Sequence, residues 1–370
     1  MEIEFLEKLS FLLFESARVK VAWGGRGAGK CLALGTRVIM SDGSLKVVED
    51  IKTGDSVMGP DSLPRKVLGT TRGKSDMYKI HQTSGIDYVV NSAHILSLKK
   101  SKSSLKEGRY SDYSEITNIN VIEALNKSER WKSHFRGYRA GLLNFKTKDV
   151  AIDPWYLGLW LGDGKCNDNI IYSEDAEVLK ACEDLAKKLK MRIAIYNQPD
   201  NKSIGIKIAR LNGARLRNDL RESFDKYNLF ENKHIPFEYK TNSENIRLQL
   251  LAGLLDSDGY CHNNGYEIIQ TNKTLTYDIK FLADSLGFKT NIREKITVCS
   301  NNGVKGLAYR LSINGDTWRI PCKIERKQVK KENVNKNKDF LLSQIEIEPI
   351  GNGDYAGCIV TGKQIGRAHV

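Results

Sequence analysis

The chain has 370 residues, 58 Lys and Arg against 45 Asp and Glu, and a formal net charge of +13. That length exceeds one typical domain, and a hydrophobic fraction of 40% is sufficient for ordinary globular cores. No run approaches the roughly 18 to 20 apolar residues of a membrane span, and the basic balance suits a polyanionic partner, because cations that neutralise phosphates release counterions.

The N-terminus lacks a basic segment followed by an apolar core and a small-residue cleavage site, so no secretory signal is predicted. The seven cysteines (Cys31, Cys166, Cys182, Cys261, Cys299, Cys322 and Cys358) are odd in number and form no CxxC pair. They point to a reducing cytoplasm, without disulfide or zinc staples.

Residues 1–30 read as an amphipathic helix, a short strand at Val19-Lys20-Val21-Ala22-Trp23, and a glycine-rich loop. Gly24-Gly25-Arg26-Gly27-Ala28-Gly29-Lys30 fits the first seven positions of G-x-x-x-x-G-K-[ST], in which backbone amides cradle phosphate, the lysine neutralises charge and the final hydroxyl binds magnesium. Position eight is Cys31. A thiol is a poor magnesium ligand, and a turn-rich β segment follows where the motif opens a helix. Gly24, Gly29 and Lys30 therefore read as a phosphate loop split between its lysine and its hydroxyl residue. The segment resembles the start of a phage terminase large subunit, a DNA-packaging ATPase, and as such would be a fragment of a host protein.

Residues 31–100 alternate in short apolar runs separated by turns, which predicts an all-β segment. Asp42-Gly43 between Thr36-Arg37-Val38-Ile39-Met40 and Leu45-Lys46-Val47-Val48 is a hairpin signal, because both turn residues tolerate positive φ. Residues 101–150 read as a basic connector with scattered Trp131, Phe135 and Tyr138. An α/β block follows over 151–335, and strand-like runs return over 336–362. The predicted class is α+β and multi-domain, with the α/β block inserted into the β unit.

The inserted block repeats itself. Leu157-Gly158-Leu159-Trp160-Leu161-Gly162-Asp163-Gly164 parallels Ala252-Gly253-Leu254-Leu255-Asp256-Ser257-Asp258-Gly259, with an offset of 258 − 163 = 95 between the late aspartates. A second match, Leu185-Ala186-Lys187-Lys188-Leu189 against Leu282-Ala283-Asp284-Ser285-Leu286, has an offset of 97. Two motifs at nearly one offset predict a duplication with two similar halves about a pseudo-two-fold axis, hence a monomer with internal symmetry.

Cys31-Leu32-Ala33-Leu34-Gly35-Thr36 and Val90-Asn91-Ser92-Ala93-His94-Ile95-Leu96 resemble blocks of the Hint (Hedgehog/intein) splicing family. The resemblance implies that Cys31 attacks the Lys30 carbonyl to form a thioester, without a cofactor and with the host polypeptide in cis. It also implies that His94 protonates the leaving amide nitrogen, assisted by Asn91 where the family usually carries Thr. Gly353-Asp354-Tyr355-Ala356-Gly357-Cys358-Ile359-Val360-Thr361-Gly362 resembles the family's penultimate block. The terminal His-Asn is absent, so the chain is expected not to complete splicing. Residues 365–370 can be encoded by ATC GGA AGA GCA CAC GTC, which looks like a sequencing adapter. Residues 363–370 are thus expected to be a non-native tail, and His369 not the family's penultimate histidine.

The duplicated motif resembles the LAGLIDADG (DOD-type) homing endonucleases. Small residues, Gly158 and Gly162 on one helix and Ala252 on the other, would let the helices approach closely. An acid at a helix C-terminus faces the negative dipole end and is unfavourable by about 0.3 to 1 kcal/mol, so Asp163 and Asp258 point to function. Paired carboxylates suit Mg2+, which would serve cleavage of double-stranded DNA at the uninterrupted host-gene site. Lys207 and Lys305 are candidate nuclease cations. Two other readings stay open on sequence alone: a P-loop ATPase fragment, and a DNA-binding protein with an inactive endonuclease domain.

Overall fold

The computed structural model of the chain describes residues 30–83, 85–100, 116–139, 141–197, 202–211, 219–298, 305–333 and 339–361. Gly24, Gly29, the remainder of 1–29 and the tail 363–370 lie outside the described residues, and of Lys30 only the backbone pairing is described.

The β segment forms β1 (Lys30–Ala33), β2 (Arg37–Ile39), β3 (Leu45–Val47), β4 (Ser56–Met58), β5 (Pro64–Gln82), β6 (Tyr88–Asn91) and β7 (Ile95–Lys100). Strands β2 and β3 make the expected hairpin, with Gly43 at φ +89°. Lys30 lies in a strand, where a phosphate-binding loop would have started a helix.

Residues 116–138 correct the connector reading. They form β8 (Ile116–Asn120), α1 (Val121–Leu125), α2 (Glu129–His134) and β9 (Phe135–Tyr138). Both helices are capped, since the Asn120 side chain accepts from Ile122 N and the Ser128 side chain from Trp131 N. Ile119, Val121, Ala124 and Phe135 are buried with Leu96 and Leu98, and Trp131 stacks on Phe135 with ring centroids 4.2 Å apart. The basic composition concealed this apolar face.

The duplicated block contains α3 (Pro154–Asp163), β10 (Ile170–Ser173), α4 (Ala176–Lys188), β11 (Arg192–Asn197), β12 (Ile204–Ala209), α5 (Asp219–Lys226) and α6 (Phe237–Lys240). Its second half holds α7 (Glu244–Asp258), β13 (Gly259–His262), β14 (Gly265–Gln270), α8 (Lys273–Ser285), β15 (Lys289–Val298) and β16 (Lys305–Asn314). The chain then returns through β17 (Leu342–Ser343) and β18 (Ile345–Val360).

Strand β18 runs antiparallel along β5 from Ile345↔Gln82 to Val360↔Val67 and also pairs with β1. The resulting sheet has the order β18-β1-β6-β5-β4, so the β unit is completed only after the α/β block has been traversed. Its core includes Leu32, Val57, Val67, Ile80, Val90 and Ala356. In the block, the sheets β10-β12-β11 and β13-β14-β16-β15 flank a central pair of helices, α3 and α7. Six consecutive apolar residues of α3 other than Gly158 are buried, from Trp155 to Leu161, as befits a helix apolar all round.

The central crossing depends on glycine. A Cβ on Gly158 would lie 2.1 Å from the Leu250 carbonyl oxygen, and one on Gly253 would lie 2.0 Å from that of Trp155. Gly162 instead faces Ser257 Oγ. The contact on α7 is thus made by Gly253 and Ser257, not by Ala252, because helix rotation places that neighbouring residue off the contact line. Gly253→Ala is expected to destabilise the protein by on the order of 3 kcal/mol, since its methyl group would meet fixed backbone. Urea unfolding measures this, and an unchanged midpoint would refute the close crossing.

Candidate functional site

Asp163 is the last residue of α3 and Asp258 the last of α7, so the glycine-packed crossing brings two carboxylates to one end of the helix pair. Burial first, and then the neighbouring Asp258, raises the Asp163 carboxyl to about 6. Burial likewise raises Asp258, against a hydrogen bond from Gln270 and the nearby Lys233 and Lys327 ammonium groups.

These two lysines hold equivalent places in the repeat. Lys233 Nζ donates to the carbonyl of Gly162 at 2.9 Å, immediately before Asp163. Lys327 Nζ donates to the carbonyls of Leu255 (2.9 Å), Asp256 (2.7 Å) and Ser257 (2.9 Å), the last immediately before Asp258. Each ammonium satisfies carbonyls that a helix end leaves unpaired and offsets the negative end of its dipole. Their separation, 327 − 233 = 94, nearly equals that of the aspartates, and this offset was the signal in the sequence that could have found them.

The lysines singled out from sequence sit elsewhere. Lys207 Nζ is bound by Asp168 Oδ2 at 2.7 Å, and Asp168 also accepts from Arg221 Nη1 at 2.8 Å. Lys305 is exposed at the outer end of β16, opposite Val298. The strand registers that fix these positions leave Lys233 and Lys327 as the ammonium groups beside the helix ends.

Asp256, the other acid of the second motif, has a structural task. Its buried carboxylate accepts from Trp155 Nε1 (2.8 Å), Lys323 N (2.8 Å) and Ile324 N (3.3 Å), tying both central helices to the segment before Lys327. Asp163 and Asp258 are hard oxygen donors that repel one another, a pair suited to a divalent cation. No cluster of three or more His, Cys, Asp or Glu able to hold a metal occurs among the described residues, so phosphate and water would have to complete the coordination.

In the β unit, Cys31 lies on β1 between β18, where it pairs with Gly357, and β6, which meets β1 at Leu32↔Val90. Its thiol is raised by burial and then by Cys358, and a hydrogen bond with Asn91 opposes that rise. Asn91 is buried at the end of β6. His94 follows in the same turn, which is fixed by His94 N donating to Asn91 O (3.1 Å) and by Val121 N donating to His94 O (3.0 Å). Asn120 Nδ2 donates to Ser92 O at 3.0 Å and braces the turn further.

Residues 31–140 match the family described as Hom_end-associated Hint, and residues 234–337 match the family described as homing endonuclease. The replicative DNA helicase DnaB of Mycobacterium intracellulare is 28% identical over 322 residues, covering 83% of this chain and 50% of that protein. The ATP-dependent DNA helicase Hel308 of Methanocaldococcus jannaschii is 24% identical over 344 residues, covering 84% of this chain and 26% of that protein. The chain thus spans half or less of the length of these curated relatives. Among solved structures, a variant of the homing endonuclease I-DmoI is similar at a TM-score of 0.33 and 16% identity, over 47% of this chain and 94% of that one. The gp41-1 intein is similar at 0.17 and 22%, over 25% of this chain and 80% of that one.

The family matches fall separately on the β unit and on the duplicated block, so an endonuclease and a protein-splicing element share this chain. Together the two matches support an intein with a homing endonuclease.

Proposed function

We propose that the chain starts its own excision at the Lys30–Cys31 bond and cuts double-stranded DNA, with Mg2+, at the uninterrupted gene of its host. The endonuclease reads as the LAGLIDADG type. The host reads as an ATPase similar to a phage terminase large subunit, interrupted within its phosphate loop. What carries the nuclease reading is the pair of half-buried acids at a crossing that only glycine permits, with an ammonium on each helix end.

In the splicing step, Cys31 Sγ bonds to the Lys30 carbonyl carbon and the bond from that carbon to the Cys31 nitrogen breaks. The thiol proton is lost and the nitrogen gains one, so the step is an isomerisation from amide to thioester. Asn91 holds the sulfur, and His94 delivers the proton to the leaving nitrogen. In the nuclease, a divalent cation, when bound, supplies charge neutralisation and an acidified water. Asp163 and Asp258 would hold it, while Lys233 and Lys327 fix the two helix ends and temper the negative charge between them. A plasmid carrying the rejoined host codons tests the nuclease: it should be linearised with magnesium and left intact with chelator, and indifference to magnesium would refute the reading.

The same geometry sets a pH dependence. The Asp163 carboxyl is raised in the folded protein from 3.8 to about 6, so folding disfavours its ionised form. The metal-free protein is therefore expected to lose stability as pH rises from about 4 to 6, by on the order of 1 to 3 kcal/mol, and to stay lower above that window. Asp163→Asn should reduce this loss, leaving the part that the likewise raised Asp258 contributes, and magnesium should offset it above pH 6 in the unsubstituted protein. Cutting should fall as pH drops through about 6, because the proton competes with the cation. Thermal melts across pH, with and without magnesium, check the stability effect; identical profiles for both proteins would contradict it.

A further inference from the structure

Residues 141–152, which join β9 to α3, form neither helix nor strand, yet their backbone is held from two sides. On one side stand the second repeat and the residues leading into it. Leu143 N donates to the Ser285 carbonyl at 2.8 Å, and Arg247 Nη2 donates to the Leu143 carbonyl. The Asn242 side chain accepts from Lys148 N at 3.0 Å and donates to Lys148 O at 2.9 Å, as a neighbouring strand would. On the other side stands the β unit. Asn144 N donates at 2.9 Å to the hydroxyl of Ser62, in the turn between β4 and β5. At the hairpin turn, a Cβ on Gly43 would overlap Thr241 Cγ2 and lie 3.0 Å from Phe145 Cε1. Just after β9, Arg139 Nη2 donates to Asp284 Oδ1 at 2.5 Å.

The duplication supplies an internal comparison. At the offset of 95, Arg247 corresponds to Ile152 (247 − 95 = 152), and at the offset of 97, Asp284 and Ser285 correspond to Lys187 and Lys188 (284 − 97 = 187). Lys187 and Lys188 are exposed, so the end of α4 faces solvent, whereas Ser285 is buried where the joining segment crosses the end of α8. The repeated fold itself therefore does not require Arg247 or Asp284. Arg247 is fully buried, and its guanidinium donates to the carbonyls of Asn242 (2.9 Å), Ser285 (2.9 Å) and Leu143. A buried charge is costly unless it is well hydrogen-bonded, and the partners that satisfy this one fix the joining segment. The Asp284 carboxylate gathers Lys280 Nζ (2.5 Å) and Thr290 Oγ1 (2.8 Å) from its own repeat, and Arg139 from beside the β unit.

We infer that residues 141–152 are a strap that fastens the β unit to the second repeat, so that the two unfold as one body. Resting on the endonuclease reading above, it follows that DNA held by the duplicated block also stabilises the β unit that carries Cys31. Calorimetry of the full chain without DNA should show a single transition, and the double variant Ser62→Ala with Arg139→Ala should show two. Two transitions in the unsubstituted chain would overturn the strap. Hydrogen exchange is then followed with a duplex carrying the rejoined host codons, and with calcium in place of magnesium to prevent cutting. The duplex should slow exchange about 10-fold in β5 and β18 as well as in the duplicated block, and in the block alone in the double variant. Slowing confined to the block of the unsubstituted chain would also overturn the inference. No slowing anywhere would remove the endonuclease reading instead, and the number of transitions without DNA would still decide on the strap.

Discussion

Cys31→Ala is expected to abolish cleavage at Lys30–Cys31 when the protein is incubated with dithiothreitol at mildly alkaline pH. A peptide bond is a poor acyl donor, but the thioester formed through Cys31 is open to an added thiol, which would release residues 1–30 from the remainder. Without the Sγ atom no thioester forms, and the yield should fall by at least about 100-fold. Burial and Cys358 keep the thiol protonated at neutral pH, so the rate should climb as pH rises above the ordinary thiol range. Asn91→Ala removes the hydrogen bond to the sulfur but leaves the nucleophile, and should slow the step less than Cys31→Ala. Gel electrophoresis with intact-mass analysis reads both variants. Cleavage at the same bond in the Cys31→Ala protein would end the proposed mechanism.

DNA cutting should fall by about 1000-fold or more in Asp163→Asn and in Asp258→Asn alike, while binding to the same duplex stays within a few-fold. Each carboxylate supplies an anionic oxygen that a cation requires, and an amide keeps the shape without the charge. The fold should survive the exchange, because neither carboxylate carries the helix crossing. That task falls to Gly158, Gly253 and the Asp256 bridge to Trp155. At Asp258 an amide can still accept from Gln270. Nicking and linearisation of a supercoiled plasmid, scored beside binding without metal, separate the effects. Full cutting by both variants would remove the two-carboxylate assignment. Loss of binding together with cutting would show that the acids hold the structure.

The sequence by itself determined those features that short-range patterns encode. The hairpin at Asp42–Gly43 follows from alternation around a turn that tolerates positive φ. The duplication, and the two helices ending in Asp163 and Asp258, follow from a motif repeated at a constant offset. The position of Cys31 beside Asn91 rests on two separate sequence blocks, and β-strand pairing joins them. Only the tertiary structure decided the rest. Lys233 and Lys327 reach the helix ends from distant segments, and nothing local to either lysine marks it as a helix cap. Lys207, a candidate nuclease cation by sequence, is captured by Asp168, which a neighbouring loop presents to it. Gly253 rather than Ala252 meets Trp155 because the rotation of a helix is set by how the two surfaces interlock, and residue spacing alone does not fix it. Residues 116–138 become strands and helices because their apolar side chains find Leu96 and Leu98 across the sheet, a partner surface that their basic composition does not reveal.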